Sequence, residues 1–104
     1  MKGIKYIITV GLFDKDSKKL EVDPANAQAL LNNEVAQTFE GATVYSADGV
    51  YRHNDGSTVR EPSIRVEVSG ASREAVVGLA KWAKQAFNQE SIMLESYEEE
   101  YDFI

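Results

Sequence analysis

The stretch from Thr58 to Val68 constrains the fold of this chain most, because its apolar and polar residues alternate. One parity holds Ile64, Val66 and Val68, and the other holds Ser63, Arg65 and Glu67. A β-strand with one face on a core and the other face open has this period of two. Proline cannot donate to a β-ladder, so Pro62 is expected at the strand entrance or at a bulge. We therefore predict a core strand whose polar entrance carries the candidate functional residues.

The size and composition of the chain exclude several classes of protein. A chain of 104 residues forms one domain, predicted to span 1–104, with a modest core. It has no cysteine, which excludes thiolate nucleophiles and cysteine metal sites. No apolar run approaches the ~18 residues of a membrane span, and no signal peptide is recognised. We expect a cytoplasmic protein with no membrane partner.

The net charge of −6 is concentrated near the C-terminal end. Acidic and basic side chains cancel over residues 1–89, whereas six acids and no Lys or Arg follow from Glu90 onward. The segment 98–104 is predicted to be an acidic tail. The chain lacks the basic stripe of a nucleic-acid binder, so no nucleic-acid partner is expected.

Hydrophobic periodicity and capping residues predict the element order β-α-β-β-α-β. The predicted strands are Lys5–Phe13, Ala42–Arg52 with a bulge or tight turn at Asp48-Gly49, Thr58–Val68 and Ser91–Tyr97. Asp23 and Ser72 are the predicted N-caps of the two helices, and Pro24 occupies the first helical position. With a right-handed crossover, this order predicts a ferredoxin-like α+β sandwich. Its antiparallel sheet has the order 4-1-3-2, with both helices on one face.

This topology is expected to bring distant polar residues to one edge of the sheet, near the N-terminus of the first helix. The candidate ligand-binding residues are Tyr51, Arg52, Arg60, Glu61, Ser63, Arg65, Gln89 and Ser91. Arginine is a good partner for anionic or planar ligands because its guanidinium is a rigid fork of donors. The alternative is that these side chains only cap turns or pair with one another. His53, the sole histidine, is interpreted as a solvated turn residue, and no metal or cofactor is expected.

Several short motifs resemble an uncharacterised bacterial domain family of unknown function. They are Phe39-Glu40-Gly41-Ala42-Thr43-Val44, Asp48-Gly49-Val50-Tyr51-Arg52, Asp55-Gly56, Arg60-Glu61-Pro62-Ser63 and Phe87-Asn88-Gln89-Glu90-Ser91-Ile92. The resemblance covers residues from about 30 to 95 and departs from the family pattern at Ala42, which is usually larger. It implies the two-helix, four-strand sandwich and emphasises the same polar residues, but it implies no activity.

Three functions remain open from the sequence. The first is a non-enzymatic protein that binds a small anionic or nucleotide-like molecule at a homo-oligomer interface, such as a phage-type protein that sequesters a nucleotide signal. The oligomer is expected because the open sheet face is half apolar. The second is a lyase, isomerase or oxygenase of this fold, with Glu61 and Glu90 as an acid/base pair. The third is an inhibitor that presents the acidic segment 95–102 to a basic protein.

Overall fold

The computed structural model describes residues 1–104 and has the predicted element order. The strands are β1 (Lys2–Gly11), β2 (Thr43–Arg52), β3 (Thr58–Ser69) and β4 (Met93–Glu100). The helices are α1 (Pro24–Thr38) and α2 (Arg73–Ala86). All neighbouring strands are antiparallel in a sheet of order β2-β3-β1-β4, which confirms the predicted ferredoxin-like sandwich. Neither helix is long and apolar enough to cross a membrane.

The core lies between the helices and one face of the sheet. Alternate residues of β1 and β3 enter it, and Ile8, Val10, Ile64 and Val66 are at most 1 % exposed. The helices contribute Ala27, Leu31 and Val35 from α1 and Val76, Leu79 and Ala83 from α2. These stripes recur at helical spacing, so each helix buries one face against the sheet.

Both helix starts follow the predicted capping chemistry. The Asp23 carboxylate accepts from the backbone N–H of Ala25, and the Ser72 hydroxyl accepts from that of Ala75. Each bond satisfies a backbone donor that has no partner within the helix. Side-chain chemistry next to each helix therefore determines where it begins.

Two local predictions in the β2–β3 hairpin are wrong. β3 begins at Thr58, so Pro62 lies inside the strand rather than at its entrance or a bulge. It is tolerated because β1 pairs with β3 only from Ser63 onward, so no ladder donor is needed there from Pro62. Asp48 and Gly49 pair in continuous register with Pro62 and Glu61, so they form neither a bulge nor a turn.

The acidic segment near the C-terminal end is partly a strand. β4 continues to Glu100, so residues 98–100 of the predicted tail pair with the first residues of β1. The side chain of Glu99 approaches Lys5, with 3.9 Å between Oε2 and Nζ. Only Tyr101 to Ile104 extend beyond the sheet.

Candidate functional site

A cavity of about 730 Å³ opens on the face of the sheet opposite the helices. It lies where β1 ends and the β2–β3 hairpin projects past it, because residues 58–62 of β3 pair with β2 alone. Its sheet-borne lining is Thr9, Gly11, Gly49, Tyr51, Val59, Glu61, Ser63 and Met93. The remaining lining comes from three connections. The β1–α1 loop contributes Phe13, Asp14, Lys15 and Lys18, the β2–β3 turn contributes His53, and the α2–β4 connection contributes Gln89, Glu90 and Ser91.

The carboxylate of Glu61 is fixed by the end of β1. Its Oε2 accepts a hydrogen bond from the backbone N–H of Phe13 at 2.9 Å. A Cβ on Gly11 would lie 2.7 Å from the same oxygen, so the carboxylate occupies space that only glycine leaves free. Oε1 accepts no hydrogen bond from the protein, so one carboxylate oxygen of Glu61 remains available to a ligand.

Gln89 and Asn88, which follow α2, hold the loop between β1 and α1 against the cavity. The side-chain amide of Gln89 donates to the carbonyl oxygen of Phe13 at 2.8 Å. Asn88 Nδ2 donates to Asp14 and Asp16, both at 2.9 Å. The Asn88 bond is the main reason why the pKa of Asp14 lies below its ordinary value. We call these two residues the clamp, and they place Lys15 and Lys18 at the cavity wall.

The charges around the cavity have both signs. Three carboxylates, those of Asp14, Glu61 and Glu90, line the cavity together with only two ammonium groups, so the lining has no excess of positive charge. No group of three or more His, Cys, Asp or Glu side chains is arranged to hold a metal ion.

Five of the eight sequence-predicted residues meet at this cavity: Tyr51, Glu61, Ser63, Gln89 and Ser91. The prediction that Arg52 and Arg60 join them is wrong. Successive side chains of a strand point to opposite faces, so Arg52 points away from the face of Tyr51 and Arg60 away from that of Glu61. Arg60 pairs instead with Asp48 at 2.8 Å in an exposed ion pair, which lowers the pKa of Asp48.

Arg65 lies on the cavity face of the sheet but does not line the cavity. Its guanidinium donates to Thr9 Oγ1 at 2.9 Å, to the Tyr45 hydroxyl at 3.1 Å and to Glu95 at 3.3 Å. The hydroxyl of Tyr97 donates to the same Glu95, and this bond raises the pKa of Tyr97. Arg65 is therefore engaged by the sheet's own polar side chains.

The N-terminus of α1, which was expected near this site, does not lie at the cavity. Neither Asp23 nor any residue of α1 lines the cavity, because the helices cover the other face of the sheet. The cavity lining also includes Gly11, Lys15 and Lys18, which the sequence did not indicate as site residues. Extending the alternation of β3 back through Pro62 would have grouped Glu61 with Ser63 and excluded Arg60. No local pattern in the 14–22 loop indicates which way its lysines point.

Solved structures similar to this chain share its architecture. A phage SAM lyase in complex with S-methyl-5'-thioadenosine is 25% identical, with a TM-score of 0.65 over 92% of this chain and 81% of that one. The GlnK–ATP complex of B. subtilis is 14% identical, with a TM-score of 0.58 and coverage of 93% and 81%. CutA from Synechococcus elongatus is 11% identical, with a TM-score of 0.55 and coverage of 91% and 75%. At this identity, GlnK and CutA support the fold alone.

Comparison with curated proteins gave no match. A family model described as "Protein of unknown function (DUF3574)" matches residues 6–103. This match extends the resemblance noted in the sequence to nearly the whole chain. The chain belongs to the DUF3574 family.

Proposed function

We propose that this protein binds an adenosine-based small molecule in the sheet-face cavity. The observation that carries the proposal is the fixed carboxylate of Glu61 in the lining, with one oxygen free to accept from a ligand. A carboxylate in this situation suits the vicinal hydroxyls of a ribose, as in dinucleotide-binding proteins. The phage SAM lyase, 25% identical to this chain, holds S-methyl-5'-thioadenosine in its solved complex, which supports an adenosine-type ligand.

The rest of the lining suits the other parts of such a ligand. Tyr51 and His53 lie edge to face with their ring centroids 5.5 Å apart, and Val59 and Met93 add apolar surface for a purine. Ser63 and Ser91 add hydroxyl groups that can donate or accept. The volume of about 730 Å³ lies within the range of small-molecule sites.

A binding titration with S-methyl-5'-thioadenosine and adenosine tests this proposal. We expect saturable heat in calorimetry with the wild type and a loss of affinity of about tenfold or more in Glu61→Ala, since a hydrogen bond to a charged group contributes ~1.5–3 kcal/mol. Glu67→Ala is the matched control, because Glu67 lies on the same face of β3 but outside the cavity. Absence of binding by the wild type, or equal affinity in both variants, would reject the proposal.

Lyase activity on S-adenosylmethionine is a second candidate function, favoured by the likeness to the phage SAM lyase. In such a cleavage the bond between the sulfonium sulfur and the four-carbon amino-acid chain breaks, and sulfur keeps the electron pair as a neutral thioether. The four-carbon fragment balances the charge by losing a proton from its β-carbon. Glu61 is the candidate base, because its carboxylate lines the cavity and only one of its oxygens accepts a hydrogen bond from the protein.

Product analysis separates cleavage from simple sequestration. Incubation with S-adenosylmethionine followed by chromatography should yield S-methyl-5'-thioadenosine if the protein is a lyase. Glu61→Gln should then abolish the product while the protein still folds, because glutamine can accept from Phe13 but cannot take the proton. Recovery of intact ligand after denaturation would instead support the non-enzymatic binding protein predicted from the sequence.

We further propose that the protein is a homo-oligomer in which a neighbouring copy covers the sheet face. Residues 58–61 of β3 have no backbone partner on the β1 side, and unpaired strand edges tend to pair with other chains. Large apolar or aromatic side chains are exposed on the same face, notably Tyr51, Met93 and Tyr97. A second copy on this face would close the cavity and exclude water from a bound ligand.

A further inference from the structure

A second groove, of about 460 Å³, lies beside the cavity on the outer side of the clamp. Its lining is entirely polar: Lys15, Lys81, Lys84, Gln85, Asn88 and Gln89. Lys15 and Gln89 line both spaces, so the groove adjoins the cavity near the end of α2.

The charge of this groove contrasts with that of the whole chain. Three ammonium groups line it and no carboxylate does, although the chain carries a net charge of −6. None of these lysines forms an ion pair within the protein. The nearby carboxylates of Asp14 and Asp16 accept hydrogen bonds from Asn88 on the loop side of the clamp. The charge of Lys15 acts on the adjacent Asp14 carboxylate and helps to lower its pKa, so Lys81 and Lys84 supply the unpaired positive charge of the groove.

We infer that this lysine groove binds a phosphate group of the ligand. The inference rests on the proposed adenosine site and adds the class of ligand: a nucleotide rather than a neutral nucleoside. Several ammonium groups match the two or more negative charges of a phosphate or diphosphate. An amino-acid group would also need a carboxylate for its ammonium, and the lining of the groove has none.

Titration of adenosine, AMP and ADP measures the contribution of the groove. We expect ADP to bind about tenfold more tightly than adenosine, since each exposed charge pair contributes up to ~1 kcal/mol. The preference should fall as salt is raised, because these lysines are solvent-exposed. A Lys81→Ala and Lys84→Ala double variant should bind adenosine as the wild type does and lose the preference for ADP. Alanine is a strong helix former, so α2 should remain intact.

Lys19→Ala is the matched control, because Lys19 lies on the same loop as Lys15 but lines neither space. It should retain the preference for ADP. Equal affinities for adenosine and ADP, or a preference that survives in the double variant, would overturn the phosphate site and leave the adenosine site standing. If none of the three compounds binds the wild type, the proposed adenosine site itself fails and the phosphate site fails with it.

Discussion

Gly11 and Glu61 are two residues on neighbouring strands that depend on each other. A Cβ at position 11 would lie 2.7 Å from Oε2 of Glu61, closer than real side chains approach. The backbone of Gly11 does not itself require glycine, because its φ lies outside the positive region. The close approach of the carboxylate therefore explains why glycine suits this position.

Gly11→Ala should displace the Glu61 carboxylate and break its bond to the Phe13 N–H. The carboxylate is the far end of a flexible side chain, so it should move before the backbone does. We expect a loss of about 0.5–1.5 kcal/mol in the free energy of unfolding, measured by urea denaturation. The affinity for S-methyl-5'-thioadenosine should fall with it. Unchanged affinity would show that the position of Glu61 does not matter for binding.

Gly78→Ala is the control for the effect of adding a methyl group. Gly78 is an exposed residue of α2, and a Cβ there would meet no atom within 4 Å. Alanine should raise the free energy of unfolding by about 0.5–1 kcal/mol, because glycine is a poor helix former. Ligand affinity should not change. The two substitutions should therefore shift the urea midpoint in opposite directions.

The clamp joins the end of α2 to the 14–19 loop. Asn88 has a φ of 48°, in the left-handed region that Asn and Gly tolerate best. This conformation lets the side chain reach Asp14 and Asp16 while the carbonyl oxygen accepts from the N–H of Lys15 at 3.0 Å. A single turn after a helix thus fixes one wall of the cavity.

Asn88→Gly should release the loop without straining the backbone, whereas Asn88→Ala should add strain at the same φ. We expect faster amide hydrogen exchange over residues 14–19 in both variants, with the larger loss of global stability in the alanine variant. Equal exchange in Asn88→Gly and the wild type would show that the Asn88 side chain does not hold the loop.

The hydrogen bond between Asn88 and Asp14 should weaken in strong acid. The fold lowers the pKa of Asp14, mainly through the hydrogen bond from Asn88. This bond therefore stabilises the protein at a pH above the ordinary carboxyl pKa. The stabilisation is lost as the pH falls through the lowered pKa of Asp14. We expect no change in loop exchange between about pH 7 and pH 5, after allowance for the intrinsic rate, and faster exchange only in stronger acid. Asn88→Gly should reduce this acid response, because Asp14 then loses its main partner and keeps only the bonds from the backbone N–H groups of Asp16 and Ser17.

The elements of this fold could be predicted because their signals are local. Asp23-Pro24, Ser72 and the alternation from Ser63 to Val68 each determine an element through neighbouring residues. The site was predicted less well, because it depends on which face a side chain takes and on contacts between distant segments. Arg60 and Glu61 are adjacent in sequence but point to opposite faces. Lys15 lies on a loop that is bonded to Asn88 and Gln89, more than 70 positions away in the sequence.

The two faces of the sheet differ in how they are covered. The helices pack against one face of the sheet, whereas the other face is covered by no helix and carries only the side chains of the strands. Those side chains cover part of it: Ile7 is buried between its cross-strand neighbours Glu67 and Glu95. Tyr97 and Met93 remain about half exposed, at 50% and 53%. The apolar surface left for a second copy is therefore concentrated along β4 and the projecting hairpin.

Tyr97→Arg should weaken the proposed oligomer. Tyr97 lies outside the cavity, so a change in its side chain tests association separately from ligand contacts. An added arginine can still pair with Glu95, which should keep the subunit folded, but its charge must lose water if a second copy packs there.

Leu30→Arg is the matched control, because Leu30 is equally exposed, at 51%, but lies on the helical side. Light scattering after size exclusion should give a multiple of the chain mass for the wild type and for Leu30→Arg. It should give a smaller species for Tyr97→Arg. The mass of a single chain for the wild type at micromolar concentration would contradict the oligomer, and the cavity would then have to bind its ligand while open to solvent.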